Sequence, residues 1–403
     1  MATVPAVSYP LRNSKFRSLW IGASLSWFGD QFYLVTLPWL ILRLTRSGIV
    51  LGLILMMAAI PRSVLMLMGG AVSDRISPRK VMIVATVVRT VLVAITGTLV
   101  WAHRLQLWHL YLLSITFGIA DAFVGPAAQS YLPSLVEPQQ LTAANSISQG
   151  TMQLITIVGP VPAGLIVKVM GAAWAFFIDA FSFLFVIVAL WRLPDPPYIS
   201  QSQPRKNIWA DILDGIKVVS RDISLRSLFL FAAILNFFVS GPIAVGLPYL
   251  IKRNFASPAI YGTAVSAVAA GGLLGMLLAG MLRQGRRGVL LIGMSAIVGL
   301  CTVVVGYLHS LWGLLGILAV MGAAAGFSNV HILSWYQERV AVEVRGRTMS
   351  VLMFATSGLL PFSLATAGML VQQNLQLMFV FSGAAVLLVT GFAVLNTAIR
   401  EIR

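Results

Sequence analysis

Acid is scarce in this chain, and histidine and cysteine are scarcer. Twelve Asp and Glu face 28 Lys and Arg over 403 residues, and charged residues of both signs make up only 10%. A soluble domain usually carries about 25% charged residues, so a chain this poor in charge cannot cover a water-facing surface. The single cysteine, Cys301, excludes an intrachain disulfide, and its place in an apolar run marks it as a small hydrophobic residue. Four histidines and one cysteine without ligand spacing argue against a transition-metal site. There is no Walker loop and no nucleophile elbow with partners, so neither an ATP-driven pump nor a hydrolase is expected. The expectation is a protein that is not an enzyme and needs no cofactor or metal.

Long apolar runs fill the chain instead, with hydrophobic residues at 58% of the total. A hydrocarbon core of ~30 Å needs about 20 apolar residues in helical form. Runs at 19–42, 48–69, 81–101, 107–132, 142–167 and 173–191 meet that length. So do 227–251, 259–282, 289–308, 312–335, 348–371 and 377–398. Nothing between them is large enough for a soluble domain. The expected fold class is all-α integral membrane, with twelve transmembrane helices in two six-helix bundles.

The net charge of +16 would suit a nucleic-acid binder, but the basic residues sit in short loops and form no continuous face. A cytoplasmic amino terminus puts 20 of the 28 Lys and Arg on the cytoplasmic side and 6 on the other. The positive-inside rule then predicts a multi-pass protein of the cell inner (plasma) membrane with both termini cytoplasmic. The first run follows Arg12, Lys15 and Arg17, is too long for a signal-peptide core and precedes no small-residue cleavage site. It is expected to remain as the first helix.

The longest hydrophilic stretch, 193–226, opens with a proline-rich turn and then places Ile208, Ile212, Ile216 and Val219 at helical spacing. It is predicted to be a cytoplasmic linker carrying an amphipathic helix at the membrane surface, between bundles at 1–192 and 227–403. The halves also echo each other. A shift of 210 brings Pro38 onto Pro248, Arg43 onto Arg253 and Gly52 onto Gly262, and a shift of 204 brings Gly118 onto Gly322. Facing six-helix repeats are an architecture of transporters, with the substrate site between them near the midplane.

Between the second and third spans the chain runs from Gly69 and Gly70 through Asp74 and Arg75 to Arg79 and Lys80. A glycine, an Asp-Arg pair four residues later and a basic cluster resemble the cytoplasmic signature of the major facilitator superfamily. Two positions depart from it, Ser77 and Pro78, and the second-half counterpart keeps Arg286 and Arg287 but has Gln284 in place of the acid. The resemblance implies the major facilitator fold and a conformational latch built from Gly70, Asp74, Arg75, Arg79 and Lys80. The plainer alternative is a positive loop that only fixes orientation. In the fifth span Gly150, Gly159, Pro160 and Gly164 resemble the glycine- and proline-containing motif of the family's antiporters, with its final double glycine reduced to Ala163-Gly164. Further phrases around Pro61, Asp179 and Asp214 are similar to the bacterial macrolide, siderophore and multidrug exporter branch.

Ionisable residues inside a span are expensive and are usually paired or functional. Counted from the inner ends of their spans, Asp30, Arg62, Arg89 and Asp121 share one layer within roughly 5 Å of depth at 1.5 Å per residue. Two acids and two bases at one depth make an ion-pair network or a proton relay, with Asp30 the first choice of carrier and Asp121 the second. Arg62 or Arg89 is the base expected to keep an aspartate ionised, with Arg62 weighed as a permanent partner of Asp30. Arg89 is assigned a structural role, and Asp179 is read as solvated near the outer end of its span. Asn236, Asn329 and His331 are the nearest polar candidates in the second half, with His331 read as a packed residue.

The function expected is a secondary active transporter, a proton-coupled exporter of amphipathic or hydrophobic small molecules by alternating access. Its partners are a small-molecule substrate, protons and the lipid bilayer, with no nucleic acid, and the chain is taken as a monomer. Trp27, Phe28, Phe32, Tyr33, Asn236, Phe237, Phe238 and Met353 could line an adaptable cavity. A proton-driven importer or lipid flippase of the same fold is the alternative within transport. An integral membrane enzyme acting on lipid is the alternative of another class.

Overall fold

In a computed structural model, described over residues 9–195, 208–281 and 286–402, no strand occurs among the described residues. Eleven segments there are long and apolar enough to cross a membrane. The remaining expected span is α1, Ser14–Thr45, whose 32 residues make a rod of about 48 Å at 1.5 Å per residue. Exposed Trp101, Trp108, Trp174, Trp191 and Trp312 stand at helix ends, where indole favours the membrane–water interface. The chain is a multi-pass membrane protein.

Two compact units form, Met1–Thr36 with Pro61–Gln203, and Leu37–Ile60 with Pro204–Arg403. Their break at 203 falls inside the expected linker, while residues 37–60 group with the second unit and not the first.

Apart from residues 37–60, the first unit holds α1, α2 (Gly48–Arg75), α3 (Pro78–Trp101), α4 (Leu107–Tyr131), α5 (Leu141–Val158), α6 (Pro160–Val169) and α7 (Ala172–Arg192). Helix α3 packs on both α4 and α7, so its side chains reach two neighbours. Helix α1 lies close on α7 because glycines face it. A Cβ on Gly22 would stand 3.0 Å from the Val186 Cα, and one on Gly29 would run into the Ser182 side chain. That contact sets Asp30 beside α7. Pro160 occupies the first turn of α6, where a missing N–H is no loss.

The second unit runs through α8 (Ile208–Arg221), α9 (Ile223–Gly241), a π-helical turn at Pro242–Gly246 and α10 (Leu247–Asn254). It continues with α11 (Pro258–Met281), α12 (Arg287–Val305), α13 (Leu311–Arg339), α14 (Val342–Ser357), α15 (Leu360–Gln373), α16 (Leu375–Leu395) and α17 (Thr397–Arg400). Its tightest crossing joins α11 and α13. Gly271 and Gly275 press on the Ala319 and Ala323 carbonyls, and Gly322 and Gly326 press on those of Val268 and Gly272. Small residues let backbones touch where no hydrophobic effect drives helices together. The expected amphipathic helix is α8, which docks on α14 and α9. Gly215 abuts the Arg347 carbonyl there, and Val219 joins a cluster with Leu225, Phe229 and Tyr336. The side chains of Ile208 and Ile212 lie outside the described residues.

Candidate functional site

Arg89, midway along α3, is 5% exposed and organises the charges of the first unit. One guanidinium nitrogen donates to Oδ1 of Asp30 on α1. The other lies 3.5 Å from Oδ1 of Asp121 on α4, whose Oδ2 meets Nε of Arg62 on α2 at 3.2 Å. The four residues predicted to share a depth therefore form one chain of ion pairs, Asp30–Arg89–Asp121–Arg62. Aromatic faces complete the seat, with the guanidinium 5.0 Å from the Phe117 ring centroid and 4.4 Å from that of Phe183. Tyr33 stacks on Phe117 at 4.5 Å. Arg suits this place because its planar fork can serve two carboxylates while stacking on rings, which an ammonium cannot do.

Two expectations need correction. Asp30 is held by Arg89 and not by Arg62, so Arg89 stands at the centre of the layer, between Asp30 and Asp121. Lateral neighbours follow from which helices pack, and α3 sits between the partners. Asp179 is not solvated: it is 0% exposed, because α7 is buried between α1 and α3. Neither of its carboxylate oxygens has a hydrogen-bond partner.

Of the loop that resembles the family signature, Arg79 and Lys80 are described. Gly70, Asp74 and Arg75 lie within α2 with side chains outside the described residues, and Gln284 lies outside them altogether. Arg79 donates to the Leu190 and Trp191 carbonyls at 2.6 and 3.0 Å, in the last turn of α7, and pairs with Asp195 at 3.3 Å. The Ser77 hydroxyl donates to the other Asp195 oxygen at 2.8 Å. That hydroxyl above all, aided by Arg79, holds the Asp195 carboxyl below its ordinary value. Lys80 is exposed.

The antiporter-like residues divide by environment. Gly150 has open space where a side chain would go, whereas a Cβ on Gly159 would come 2.5 Å from Cγ of Gln31 on α1. Pro160 and Gly164 are buried in α6.

Among the residues named as cavity candidates, Trp27, Phe28 and Tyr33 are half-buried on α1, and Phe28 meets Phe32 edge-on at 5.6 Å. In the second unit Phe237 and Phe238 pack edge-on at 5.1 Å, and exposed Asn236 accepts from the Ser240 hydroxyl at 2.6 Å. Met353 and Asn329 are exposed. His331 is buried, stacked on Phe327 at 4.3 Å with Nδ1 3.0 Å from that residue's carbonyl. Among the described residues no group of His, Cys, Asp and Glu could hold a metal ion.

Ion pairs of the second unit escaped the sequence reading, among them those of Arg287 and Asp222. Arg287 forms a fork with Glu338 at 2.7 and 2.9 Å. Asp222 caps α9 and takes the Nε of Arg339 at 2.7 Å. The capping signal, an acid directly before the apolar run that becomes α9, could have found Asp222.

Residues 6–403 match the profile of the family described as transmembrane secretion effector. The chain is 24% identical over 405 residues to macrolide efflux protein A of Streptococcus pyogenes, with 96% of each chain covered. It is 25% identical over 405 residues to the multidrug efflux pump Tap of Mycolicibacterium fortuitum, covering 98% of this chain and 97% of that one. Among solved structures the nucleoside transporter NupG is similar with a TM-score of 0.78 at 15% identity, over 95% of this chain and 99% of its own. At that identity the likeness is one of fold alone.

Proposed function

The chain belongs to the transmembrane secretion effector family of the major facilitator superfamily, and on that premise we propose that it is a proton-coupled exporter of amphipathic or hydrophobic small molecules. The observation that carries the coupling is the ion-pair chain Asp30–Arg89–Asp121–Arg62 inside the first unit. Buried charge of this kind is costly in a membrane and marks ion pathways and proton relays. The outward direction rests on the two relatives named as efflux proteins. Transport works by alternating access between bundles at 1–192 and 227–403, in a monomer of the inner membrane with both termini cytoplasmic. The latch assigned to Asp74 keeps the inner side closed.

The test incubates inverted membrane vesicles with a panel of macrolides and amphipathic cations in the medium, with and without a pH gradient. Gradient-dependent accumulation is expected for the native chain and should be lost in Asp30→Asn, Asp121→Asn or both. Wild-type accumulation in both variants removes the acid layer from the mechanism. Movement only in the opposite direction turns the reading to an importer, and movement of lipid alone turns it to a flippase.

A further inference from the structure

The charge layer has a fifth member. Asp179 of α7 lies fully buried against α1, where a Cβ on Gly29 would come 3.0 Å from its Oδ1. Gly29 precedes Asp30, and Phe183, one turn along α7 from Asp179, carries the ring on which Arg89 rests. Yet both Asp179 oxygens lack a donor, and Arg89 Nε, also buried, lacks an acceptor. Ser182 gives its hydroxyl to the Asp179 backbone carbonyl at 2.7 Å and not to the carboxyl. The groups that act electrostatically on Asp179 are Asp30 from α1 and Arg89 from α3. Asp179 in turn acts on Tyr33 of α1, and Asp121 and Arg62 join through Arg89. Lys168, the charge on α6, is exposed.

Counting these charges leaves three carboxyls against two guanidiniums. An uncompensated charge in this setting is strongly penalised, whereas one bound proton makes the cluster neutral. Asp30 and Asp121 each hold a guanidinium, so the carboxyl without a donor is the place for that proton. We propose that Asp179 is a proton-storage site of the transporter, a neutral carboxylic acid that exchanges its proton with Asp30 as Arg89 changes partner. When the guanidinium turns its free Nε–H edge to Asp179, the Asp179 O–H bond breaks. Its proton then bonds to the Asp30 carboxylate that Arg89 has left. The five groups sum to zero before and after. Asp30, 29% exposed, then hands the proton to water, which Asp179 cannot reach.

This deepens the proton-coupled reading and rests on it for the transfer step, while the stored proton itself can be observed without transport. Infrared spectra of the reconstituted full chain, carrying isotope-labelled aspartate, should show a carboxylic acid C=O band at neutral pH that is missing in Asp179→Asn. Asp179→Asn, an amide in place of a neutral acid, should melt with the native chain, whereas Asp30→Asn, which breaks an ion pair, should melt lower. With ethidium as probe, Asp179→Asn should keep binding but lose gradient-driven transport down to the level of empty vesicles. No acid band in the native chain overturns the proposal, as does melting of Asp179→Asn below Asp30→Asn. Wild-type gradient dependence in Asp179→Asn overturns the transfer step. Should Asp179→Asn not accumulate, the native spectrum decides alone. A native chain that shows the band but ignores the gradient keeps the stored proton and defeats the coupling reading instead.

Discussion

The backbone N–H of Gly48 donates to Oε1 of Gln372 at 2.8 Å, across 324 residues of chain. Gly48 begins α2, where a helix leaves its N–H groups without internal partners. On the other arm of the same turn, the Leu42 carbonyl of α1 accepts from Nζ of Lys252 on α10. Gly52 and Gly368 let α2 and α15 approach backbone to backbone, a Cβ on Gly52 standing 3.1 Å from the Gly368 Cα. Within the second unit, residues 37–60 are thus held at both arms by polar caps and along α2 by a small-residue seam.

In the proposed alternating access these contacts are expected to form in one conformer. Gly52→Leu should therefore force α2 off α15, reduce transport and uncover Val371, which is 2% exposed and covered at Gly48. In a Cys301→Ala background, a thiol placed as Val371→Cys should react faster with a water-soluble maleimide once Gly52→Leu is added. Unchanged labelling would mean that the seam does not gate access there.

Arg89 and Arg62 should behave unequally although both pair with Asp121. Removing one partner of a buried pair destabilises by about 3–5 kcal/mol, and Arg89 is buried between two acids and two rings. Arg62 has a side chain 61% exposed, and exposed pairs contribute about 0–1 kcal/mol. Arg89→Gln should lower the melting temperature strongly, Arg89→Lys less, and Arg62→Gln least. Adding Asp30→Asn to Arg89→Gln should recover part of the loss, since one unpaired acid is removed. A double variant no more stable than Arg89→Gln alone would show that the pair is not energetically coupled.

Acid should weaken the second unit through Asp222. Burial pushes its carboxyl up, but Arg339 and the Leu225 and Ser224 N–H groups outweigh that and hold it below the ordinary value. A depressed folded value means stabilisation present in full above the unfolded value, about 3.9, and lost as pH falls through the folded one. Asp195 in the first unit shifts the same way. The native melting temperature should fall as pH drops below about 4. Asp222→Asn keeps an acceptor for the α9 cap but removes the titrating charge, so its acid limb should be shallower. Identical acid limbs in thermal scans would count against this assignment.

Spans were legible, and depths could be expected, because apolar run length and helical rise are read without knowledge of neighbours. This is how Asp30, Arg62, Arg89 and Asp121 could be placed in one layer. Which acid meets which base was not legible, because α3 contacting α4 and α7 is a matter of packing. Asp179 was misjudged for a related reason. Distance from a helix end measures depth along the membrane normal, whereas its burial comes from sideways contact with Gly29 on α1. The seam of Gly48, Gly52 and Gly368 was hidden because glycines scattered through apolar runs look alike until two backbones meet. The fifth span was read as one run at 142–167, whereas it divides into α5 and α6 at Gly159, because Pro160 lacks the N–H that would continue the helix.

Arg79 and Asp74 stand in one loop motif but should fail differently. Arg79 uses its donors inside the first unit, on the Leu190 and Trp191 carbonyls and on Asp195. These are groups at the end of α7 that a helix cannot fully satisfy itself. Hydrogen bonds from a charged donor contribute about 1.5–3 kcal/mol each at most sites, reduced here by exposure at Asp195. Arg79→Ala should thus lower the melting temperature whether or not the loop acts as a latch. Asp74→Asn is close to isosteric and removes only the charge, so a latch variant should melt with the native chain while transport drops severely. Thiols introduced on the cytoplasmic side of the cavity should also label faster in that variant, because the closed inner state is weakened. Normal transport by well-expressed Asp74→Asn would remove the latch role. An Arg79→Ala chain that melts with the native protein would show that capping α7 adds nothing to stability.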